Sequence, residues 1–465
     1  MAEHYKPNKY KAWELTLEER FQEYHPPFSE REAVLEANRC LYCHDAPCMV
    51  ACPTHIDIPT FIRKIGTGNV KGSARTILES NLMGATCARV CPVEVLCEGV
   101  CVLNADEKPI AIGRLQRYAT DYAKEKGIRF FKKGEANGKK VAVIGSGPAG
   151  LSCAGELAKQ GFDVTVFEKK KWGGGLSTYG IVVFREPVEV SLDEVKMIEE
   201  LGVTIKRGVE VGKDIQFEEI LANHDAIFIG IGLGAVPHME IPGENLDGVV
   251  DGLEFVESTK VNKLDTIKYG NRICVIGAGN TAIDCATIAR RLGAERVTMV
   301  YRRSEAEMPA YHFEYQFALG EGVSFMFLTQ PVEIVGNNGK VEGLKCIRMD
   351  LGQADASGRR SPVPVEGSEF VVPCDMVIKA IGQVKPRHFL QMLEGYGVKE
   401  VKGYLKVDEN LNTGHDKIFA GGDCVRSHGE ASTVMAVQDG KIAARAISQK
   451  LLGTSKAKAA AVSNK

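Results

Sequence analysis

Three common features are missing from this sequence of 465 residues. No stretch of it approaches the roughly 20 apolar residues that a membrane-spanning helix needs. The N-terminus has no apolar core of the kind found in secretory signals. Charge of neither sign predominates, since 58 basic residues stand against 60 acidic ones. These absences predict a cytoplasmic protein whose partners include neither a membrane nor a nucleic acid.

Paired cysteines are missing from most of the chain. Eight of the fourteen cysteines lie between Cys40 and Cys101, and the other six are scattered singly. We expect those six to be isolated, buried side chains without a close partner. No CxxC pair occurs outside the N-terminal block, so the dithiol of a flavin-linked disulfide reductase is absent. Because cytoplasmic thiols are kept reduced, the block indicates metal or redox chemistry rather than disulfides.

The eight clustered cysteines have the spacing of iron–sulfur ligands. They run Cys40-x2-Cys43-x4-Cys48-x3-Cys52-Pro and Cys87-x3-Cys91-Pro-x4-Cys97-x3-Cys101. A zinc ribbon usually has two CxxC pairs, and only one is present here. Cysteine followed by proline at the end of a cysteine run is typical of two-cluster ferredoxins. The spacing therefore favours iron–sulfur ligation, with zinc as the alternative.

A strand, a glycine turn and a small-residue helix follow the linker at 130–140. In "VAVIGSGPAGL" the glycines Gly145, Gly147 and Gly150 permit a tight turn and close approach of a pyrophosphate to the helix N-terminus. Glu168 ends the next strand, where a carboxylate would bind ribose hydroxyls. The pattern predicts a first dinucleotide-binding domain.

The same pattern returns about 130 residues later. "CVIGAGNTAIDCA" contains Gly277, Gly279 and Ala282, and its second strand ends in Arg302 and Arg303 instead of an acid. Arginines at this position favour the 2′-phosphate of NADP over NAD, the alternative being that they are simply solvated at a strand end. Two such domains imply FAD and a nicotinamide nucleotide.

A third glycine motif, "KIFAGGDC", lies near the C-terminus. Asp423 after Gly421 and Gly422 is placed to bind a ribitol hydroxyl, and a helix beginning near Ala431 would direct its N-terminus at a flavin. The predicted fold is α/β, with an N-terminal all-helical iron–sulfur domain and two Rossmann-like domains, the second inserted in the first. The boundaries are 1–135 for the helical domain, 136–247 and 383–452 for the FAD-binding domain, 248–382 for the NAD(P)-binding domain, and 453–465 for a disordered tail.

Several motifs together resemble a known family. "VIGSGPAGL", "WGGGLSTYGI", "IGIGLGAVP", "GAGNTAIDCA" and "FAGGDC" look like the flavoproteins with two dinucleotide-binding domains, and more narrowly the glutamate synthase small-subunit group. The N-terminal stretch "TCARVCPVEVLCEGVC…PIAIGRLQ" is similar to the N-terminal domain of dihydropyrimidine dehydrogenase. This resemblance implies two 4Fe–4S clusters, one held by Cys40, Cys43, Cys48 and Cys101. The resemblance implies that the second cluster is held by Cys52, Cys91, Cys97 and the amide oxygen of Gln116. Cys87 is then a buried cysteine that binds neither cluster.

The resemblance also implies nucleotide-binding positions. No general acid or base is predicted, because hydride transfer requires the nicotinamide to stack on the flavin ring. The positions implied for the flavin are Gly145, Ser146, Gly147, Pro148, Ala149, Glu168, Leu176, Arg185, Val211, Gly422, Asp423 and Thr433. Those implied for the nicotinamide nucleotide are Ala278, Gly279, Asn280, Thr281, Arg302, Arg303, Ala380, Ile381 and Gly382. The sequence has "SEAEMPA" where the mammalian enzyme has a further arginine for the 2′-phosphate, so NADP is favoured while NAD stays an alternative.

By this resemblance the chain is the electron-input subunit of a bacterial dihydropyrimidine dehydrogenase. It would oxidise NAD(P)H at FAD and pass electrons through two 4Fe–4S clusters to a catalytic subunit that contains FMN and iron–sulfur clusters and reduces uracil or thymine. The alternatives are a glutamate synthase small subunit, a bifurcating ferredoxin:NADP oxidoreductase subunit, and a zinc-stabilised docking module on a stand-alone flavin diaphorase.

Overall fold

The computed structural model describes residues 15–354, 360–425 and 431–453. These residues divide into two compact units. The first unit comprises Glu23–Thr178, Arg185–Leu233 and the chain from Lys385 onward; the second comprises the chain up to Gln22, Tyr179–Phe184 and Gly234–Val384. The disordered tail predicted for 453–465 lies outside the described residues, apart from Gly453.

Short helices make up the N-terminal part. Helix α2 begins at a capping box in which the Ser29 hydroxyl accepts from the Glu32 N–H and the Glu32 carboxylate accepts from the Ser29 N–H. Buried Phe61, Ile77 and Leu115 form the core between α4, α5 and α7. The helices are α1 (Leu17–Arg20), α2 (Glu30–Ala37), α3 (Pro47–Ala51), α4 (Ile58–Gly66), α5 (Val70–Ser80), α6 (Gly84–Val90) and α7 (Ile112–Glu125).

The first strand–turn–helix pattern begins where it was expected. Strand β1 is buried at four of its five residues and leads through the glycine turn into α8. The elements that follow are β1 (Lys140–Ile144), α8 (Pro148–Ala158), β2 (Asp163–Glu168), α9 (Leu176–Tyr179), α10 (Val188–Glu200), β3 (Thr204–Arg207), α11 (Phe217–Asn223) and β4 (Ala226–Ile229).

The second pattern builds a separate sheet. Strand β6 leads into α13 just as β1 leads into α8. The elements are β5 (Val249–Asp251), α12 (Gly252–Val261), β6 (Arg272–Ile276), α13 (Asn280–Leu292), β7 (Arg296–Val300), α14 (His312–Gly320), β8 (Ser324–Met326), β9 (Thr329–Asn337), β10 (Lys340–Ala354), β11 (Arg360–Pro364), β12 (Phe370–Pro373) and β13 (Met376–Lys379).

The chain then returns to the first sheet. Its remaining elements are α15 (Arg387–Glu394), β14 (Glu400–Val401), β15 (Tyr404–Leu405), β16 (Ile418–Ala420) and α16 (Thr433–Leu452). Strand β16 pairs in parallel with β4, completing a parallel sheet of order β16-β4-β1-β2-β3. The second parallel sheet has the order β5-β13-β6-β7-β8 and lies between β4 and β16 in the chain.

These two sheets confirm the predicted α/β fold and the insertion of the second Rossmann-like domain in the first. In each sheet the glycine turn follows a central strand, so the carboxyl ends of the neighbouring strands surround it. Strands β9 to β12 form an additional antiparallel sheet. Within the described ranges, no helix combines the length and the apolar character required to cross a membrane.

Candidate iron–sulfur and nucleotide sites

Four cysteines line a small cavity, called here the first cavity. They are Cys40, Cys43, Cys48 and, from 53 residues further along the chain, Cys101. Short segments supply them: Cys48 lies in α3, and the others lie in the turns between helices. Burial raises the pKa of the Cys48 thiol to about 11. Thiolates at such positions need a cation, which iron supplies.

A second small cavity is lined by Cys52, Cys91, Cys97 and Gln116. The structure therefore brings the predicted ligands together as two groups of four, in the division that the resemblance implies. Ile58 lines both cavities, so they are neighbours within the first unit. Among the described residues no three Cys, His, Asp or Glu side chains converge on a single-ion site.

Gln116 is buried in α7, with 7 % of its surface exposed. Its Nε2 donates to the Gly84 carbonyl at 2.8 Å. Because that carbonyl can only accept, it engages the amide nitrogen, and the amide oxygen is the atom left for a ligand. A glutamine on an amphipathic helix is ordinarily a surface residue, so sequence alone gave no reason to expect this burial.

Cys87, which the resemblance leaves as a spare, also lines the second cavity. It is buried in α6, and its thiol is close enough to that of Cys91 to affect the ionisation of Cys91. The nearby Cys87 thiol and burial raise the pKa of Cys91 well above that of an ordinary thiol. The second cavity thus has two candidates for a fourth ligand, the Cys87 sulfur and the Gln116 oxygen, whereas the first has four cysteines only.

The first nucleotide turn lies at the carboxyl edge of the first sheet. The Gly145 N–H donates to the Phe167 carbonyl at 2.9 Å, and a Cβ on Gly145 would lie 2.5 Å from the Gly230 carbonyl oxygen. Its φ of +92° is a conformation that glycine adopts readily. A Cβ on Gly150 would meet the Gly145 carbonyl oxygen at 2.0 Å, so both positions exclude a side chain.

Glu168 is bound to this same turn. Its carboxylate accepts from the Ser146 N–H at 3.0 Å and the Ser146 hydroxyl at 2.5 Å. It also accepts from the Lys170 N–H at 2.7 Å. The carboxylate predicted for ribose therefore has local partners as well, and a bound ribose would share it with Ser146.

The remaining flavin positions lie around the turn or near it. The backbone of Gly175, just before the exposed Leu176, passes over Gly147, since a Cβ on Gly175 would lie 2.7 Å from the Gly147 Cα. Val211 follows the segment whose Val209 N–H donates to the Glu168 carbonyl. Pro148 and Ala149 open α8.

Arg185, another position that the resemblance implies for the flavin, is half-buried. Burial, together with the positive charges of Arg185, Arg114 and Arg117, lowers the pKa of His25 to about 4. Its prediction as a flavin-binding residue stays untested.

The C-terminal motif approaches the same edge, and it depends on a residue that sequence analysis missed. Asp439 is buried in α16 and accepts from the Gly422 N–H at 2.8 Å. A Cβ on Gly422 would lie 3.1 Å from that of Ala149. Thr433 is the first residue of α16, after the Ser432 cap, and Asp423 follows Gly422 directly. Only the local turn was visible in the sequence, not the aspartate 17 residues away that supports it.

The second nucleotide turn lies at the carboxyl edge of the second sheet. The Gly277 N–H donates to the Val300 carbonyl at 3.1 Å, and a Cβ on Gly277 would lie 2.2 Å from the Ala380 carbonyl oxygen. The strand ends that carry the predicted residues therefore meet here. These residues are Ala278, Gly279, Asn280, Thr281, Arg302, Arg303, Ala380, Ile381 and Gly382.

The six cysteines outside the N-terminal block are all buried, as predicted. Three of them, Cys274, Cys346 and Cys374, share one buried core in the second unit, and the neighbouring Cys374 contributes to the raised pKa of Cys274. Cys274 and Cys374 are 100 residues apart in the chain. Strand β13, which begins just after Cys374, pairs with β6, which contains Cys274, and so brings the two together. Sequence spacing carried no sign of this contact.

Helix α16 links the first nucleotide turn to the second cavity. Val434, next to Thr433, lines that cavity. The Lys441 Nζ donates to two carbonyls in the N-terminal part of the unit. One belongs to Thr54, two residues after Cys52, at 2.9 Å, and the other to Ser80, at the end of α5, at 2.5 Å. The second cavity is thus the nearer of the two to the predicted flavin site.

Comparison with known proteins places these sites in a family. Residues 17–128 match the family described as dihydropyrimidine dehydrogenase domain II, 4Fe-4S cluster. Residues 139–440, more than half of the chain, match the pyridine nucleotide-disulphide oxidoreductases. The chain belongs to this oxidoreductase family. It is accordingly an NAD(P)H-dependent flavin oxidoreductase with a 4Fe–4S domain at its N-terminus.

Several relatives match over nearly their whole length. The chain is 38 % identical to the glutamate synthase [NADPH] small chain of Escherichia coli, covering 92 % of this chain and 93 % of that one. It is 37 % identical to the NAD-dependent dihydropyrimidine dehydrogenase subunit PreT of Escherichia coli, covering 92 % and 96 %. Among solved structures, FprA from Mycobacterium tuberculosis in complex with NADPH has a TM-score of 0.54 at 20 % identity, covering 69 % and 86 %. That likeness concerns the fold alone.

Proposed function

We propose that this chain is the electron-input subunit of a larger enzyme. It oxidises NADPH at a bound FAD and passes electrons singly through two 4Fe–4S clusters to a partner protein. The observation that carries the proposal is the grouping of seven cysteines and Gln116 around two neighbouring cavities, in the same unit as the first nucleotide turn.

The cofactors supply the redox chemistry: FAD accepts a hydride and iron–sulfur clusters carry one electron at a time. The residues of the chain bind and orient them. Gly145 to Ala149 and the N-terminus of α8 receive the pyrophosphate, and Glu168 orients a ribose hydroxyl. Cys40, Cys43, Cys48 and Cys101 hold one cluster; Cys52, Cys91, Cys97 and Gln116 hold the other.

We infer an order of electron transfer from the positions of the two cavities. The second cavity is lined by Val434 of α16, whose first residue Thr433 is a predicted flavin position. The first cavity lies next to exposed apolar side chains. Leu41 is 62 % exposed and Val50 78 %, and Val100 and Val102 on either side of Cys101 are also exposed. We therefore place the cluster of the second cavity next to FAD, and that of the first cavity at the surface where a partner binds.

For the partner we propose a catalytic subunit that contains FMN and iron–sulfur clusters and reduces uracil or thymine to the 5,6-dihydropyrimidine. The match of residues 17–128 to a dihydropyrimidine dehydrogenase domain and the similarity to subunit PreT support this. The second candidate is a glutamine-hydrolysing glutamate synthase large chain, which the 38 % identity to the glutamate synthase small chain supports.

Anaerobic purification from the native host tests the proposal. We expect a brown protein with FAD, about eight irons and eight acid-labile sulfides per chain, and a stoichiometric companion identified by mass spectrometry. A companion with an FMN domain supports pyrimidine reduction, and a glutamine-hydrolysing companion moves the assignment to glutamate synthase. Zinc in place of iron would overturn the electron relay, leaving a docking module on a flavin diaphorase.

A further inference from the structure

The end of strand β7 has two arginines with different surroundings. Arg302 is exposed, and among the described residues no hydrogen bond or ion pair involves its guanidinium. Arg303 is half-buried and its Nε donates to the carbonyl of Arg360 at 3.0 Å. The Arg303 carbonyl accepts from the Leu328 N–H at 3.0 Å. Arg303 is therefore fixed by the chain around it, and Arg302 is free to meet a ligand.

Arg360 comes to this place from a distant part of the sequence. It is the first residue of β11, 57 positions after Arg303, and β11 pairs with β10 in the antiparallel sheet. Its side chain is exposed. The hydrogen bond from Arg303 to its carbonyl brings the start of β11 against the end of β7, at the carboxyl edge of the second sheet.

The charge of Arg360 acts on this same corner. Ser304, next to Arg303, donates its N–H to the Glu307 carboxylate at 3.1 Å. Hydrogen bonds from Ser304 lower the pKa of Glu307, and the positive charge of Arg360 lowers it further. The Arg360 guanidinium is thus near enough to Glu307, four residues beyond Arg303, to affect its ionisation.

We propose that Arg360 is a third cation, with Arg302 and Arg303, at the site that distinguishes NADPH from NADH. The inference rests on the proposed oxidation of NADPH and names a residue that determines its specificity. Guanidinium groups bind phosphate by charge-assisted and often bidentate hydrogen bonds. Three of them at one corner attract a 2′-phosphate dianion more strongly than an uncharged 2′-hydroxyl. Arg360 thereby takes the place of the further arginine that "SEAEMPA" lacks.

Nucleotide fragments test this independently of catalysis. The full-length, FAD-loaded protein is titrated calorimetrically with 2′,5′-ADP, which carries the 2′-phosphate, and with 5′-AMP, which does not. We expect Arg360→Gln to lower the affinity for 2′,5′-ADP about tenfold and the affinity for 5′-AMP less than twofold. Arg360→Lys should recover part of the loss, because it restores the charge without the fork. Arg348→Gln is the matched control, since that arginine stacks on Phe370 in the neighbouring strand.

Steady-state kinetics with a dye acceptor supply the second readout. Arg360→Gln should raise the KM for NADPH and leave kcat and the NADH parameters nearly unchanged. Equal weakening of both fragments, or an unchanged affinity for 2′,5′-ADP, would overturn the role of Arg360. A wild-type protein that binds both fragments equally would also overturn it. The proposed function fails separately, if the wild type oxidises neither NADPH nor NADH.

Discussion

The two cysteine cavities are alike in size and differ in what surrounds them. The first has cysteine ligands only and exposed apolar neighbours such as Leu41 and Val50. The second has Gln116 and Cys87 in addition and is lined by Val434 of α16. In the relay that we propose, the first cavity is the one next to another protein and the second is the one next to the flavin. The comparison teaches that, in such a relay, the surroundings of two similar sites set the direction of electron transfer.

The largest effect is expected from removing a ligand of the first cavity. Cys43→Ala should lower the iron content from about eight to about four per chain and abolish electron transfer to the partner. NADPH-to-dye reduction through the flavin should stay within about twofold of wild type, because the first cavity is the farther from the flavin turn. Iron analysis and the two activities measure this. Loss of dye reduction at normal FAD content would reverse the proposed order of the cavities.

The next largest effect is expected from changing the fourth ligand of the second cavity, which is either Gln116 or Cys87. If the Gln116 oxygen is the ligand, Gln116→Leu should remove or alter the second cluster, and Cys87→Ser should leave both clusters intact. Iron content and the electron paramagnetic resonance spectrum of the reduced protein distinguish them. The reverse result would give the ligand role to Cys87 and leave Gln116 as a hydrogen-bond donor to Gly84.

The exposed rim of the first cavity should matter to the partner alone. Val50→Lys places a charge on a side chain that is 78 % exposed, so the fold should tolerate it while partner affinity falls about tenfold. Surface plasmon resonance with the purified companion measures the change. Val363→Lys, at an exposed valine of β11, is the control. Equal effects of the two variants would contradict a docking role for the rim.

The smallest effect is expected from a buried carboxylate that is hydrogen-bonded to α6, the helix that carries Cys87 of the second cavity. Glu194 is buried in α10 and accepts from the N–H groups of Ala85 at 2.8 Å and Thr86 at 3.1 Å, in the helix that carries Cys87. Thr86 Oγ is also 2.5 Å from buried Glu186 and 2.6 Å from Glu194. Burial, and next to it the charge of Glu186, raises the pKa of Glu194 from 4.5 to about 8.

The pH dependence follows from this shift. Between about pH 4.5 and 8 the folded state holds a proton that the unfolded state releases, so stability falls as pH rises, by at most about 1.4 kcal/mol per pH unit. Glu194→Gln should flatten the decline of Tm between pH 6 and 8 by a few degrees. Glu199→Gln, at a surface partner of Arg207, should not. Parallel Tm profiles for wild type and Glu194→Gln would contradict the shift.

Sequence reasoning succeeded where the chemistry was local. The glycine turns at Gly145 and Gly277 depend on a few consecutive residues, and each lies at the strand end where it was expected. The helix expected near Ala431 begins at Thr433, after the Ser432 cap. The division of cysteines between two cavities came from family resemblance, since spacing does not reveal which turns meet.

What the sequence could not predict depends on long-range contacts. Asp439 reaches Gly422 from within α16, Arg360 reaches Arg303 across 57 residues, and Cys374 meets Cys274 through strand pairing. The burial of Gln116 depends likewise on the packing of α6 against α7. Each partner is unremarkable in its own stretch of sequence, and only the tertiary fold makes it important.

The position of α16 has a consequence for how the protein is made. Strand β16 and this helix are synthesised after the inserted domain, yet β16 completes the first sheet and Val434 lines the second cavity. Nearly 190 residues separate β16 from its neighbour β4, so their pairing closes a long loop and waits for the whole inserted domain. The first sheet and one wall of the second cavity are therefore completed late in synthesis, only after the inserted domain has been made.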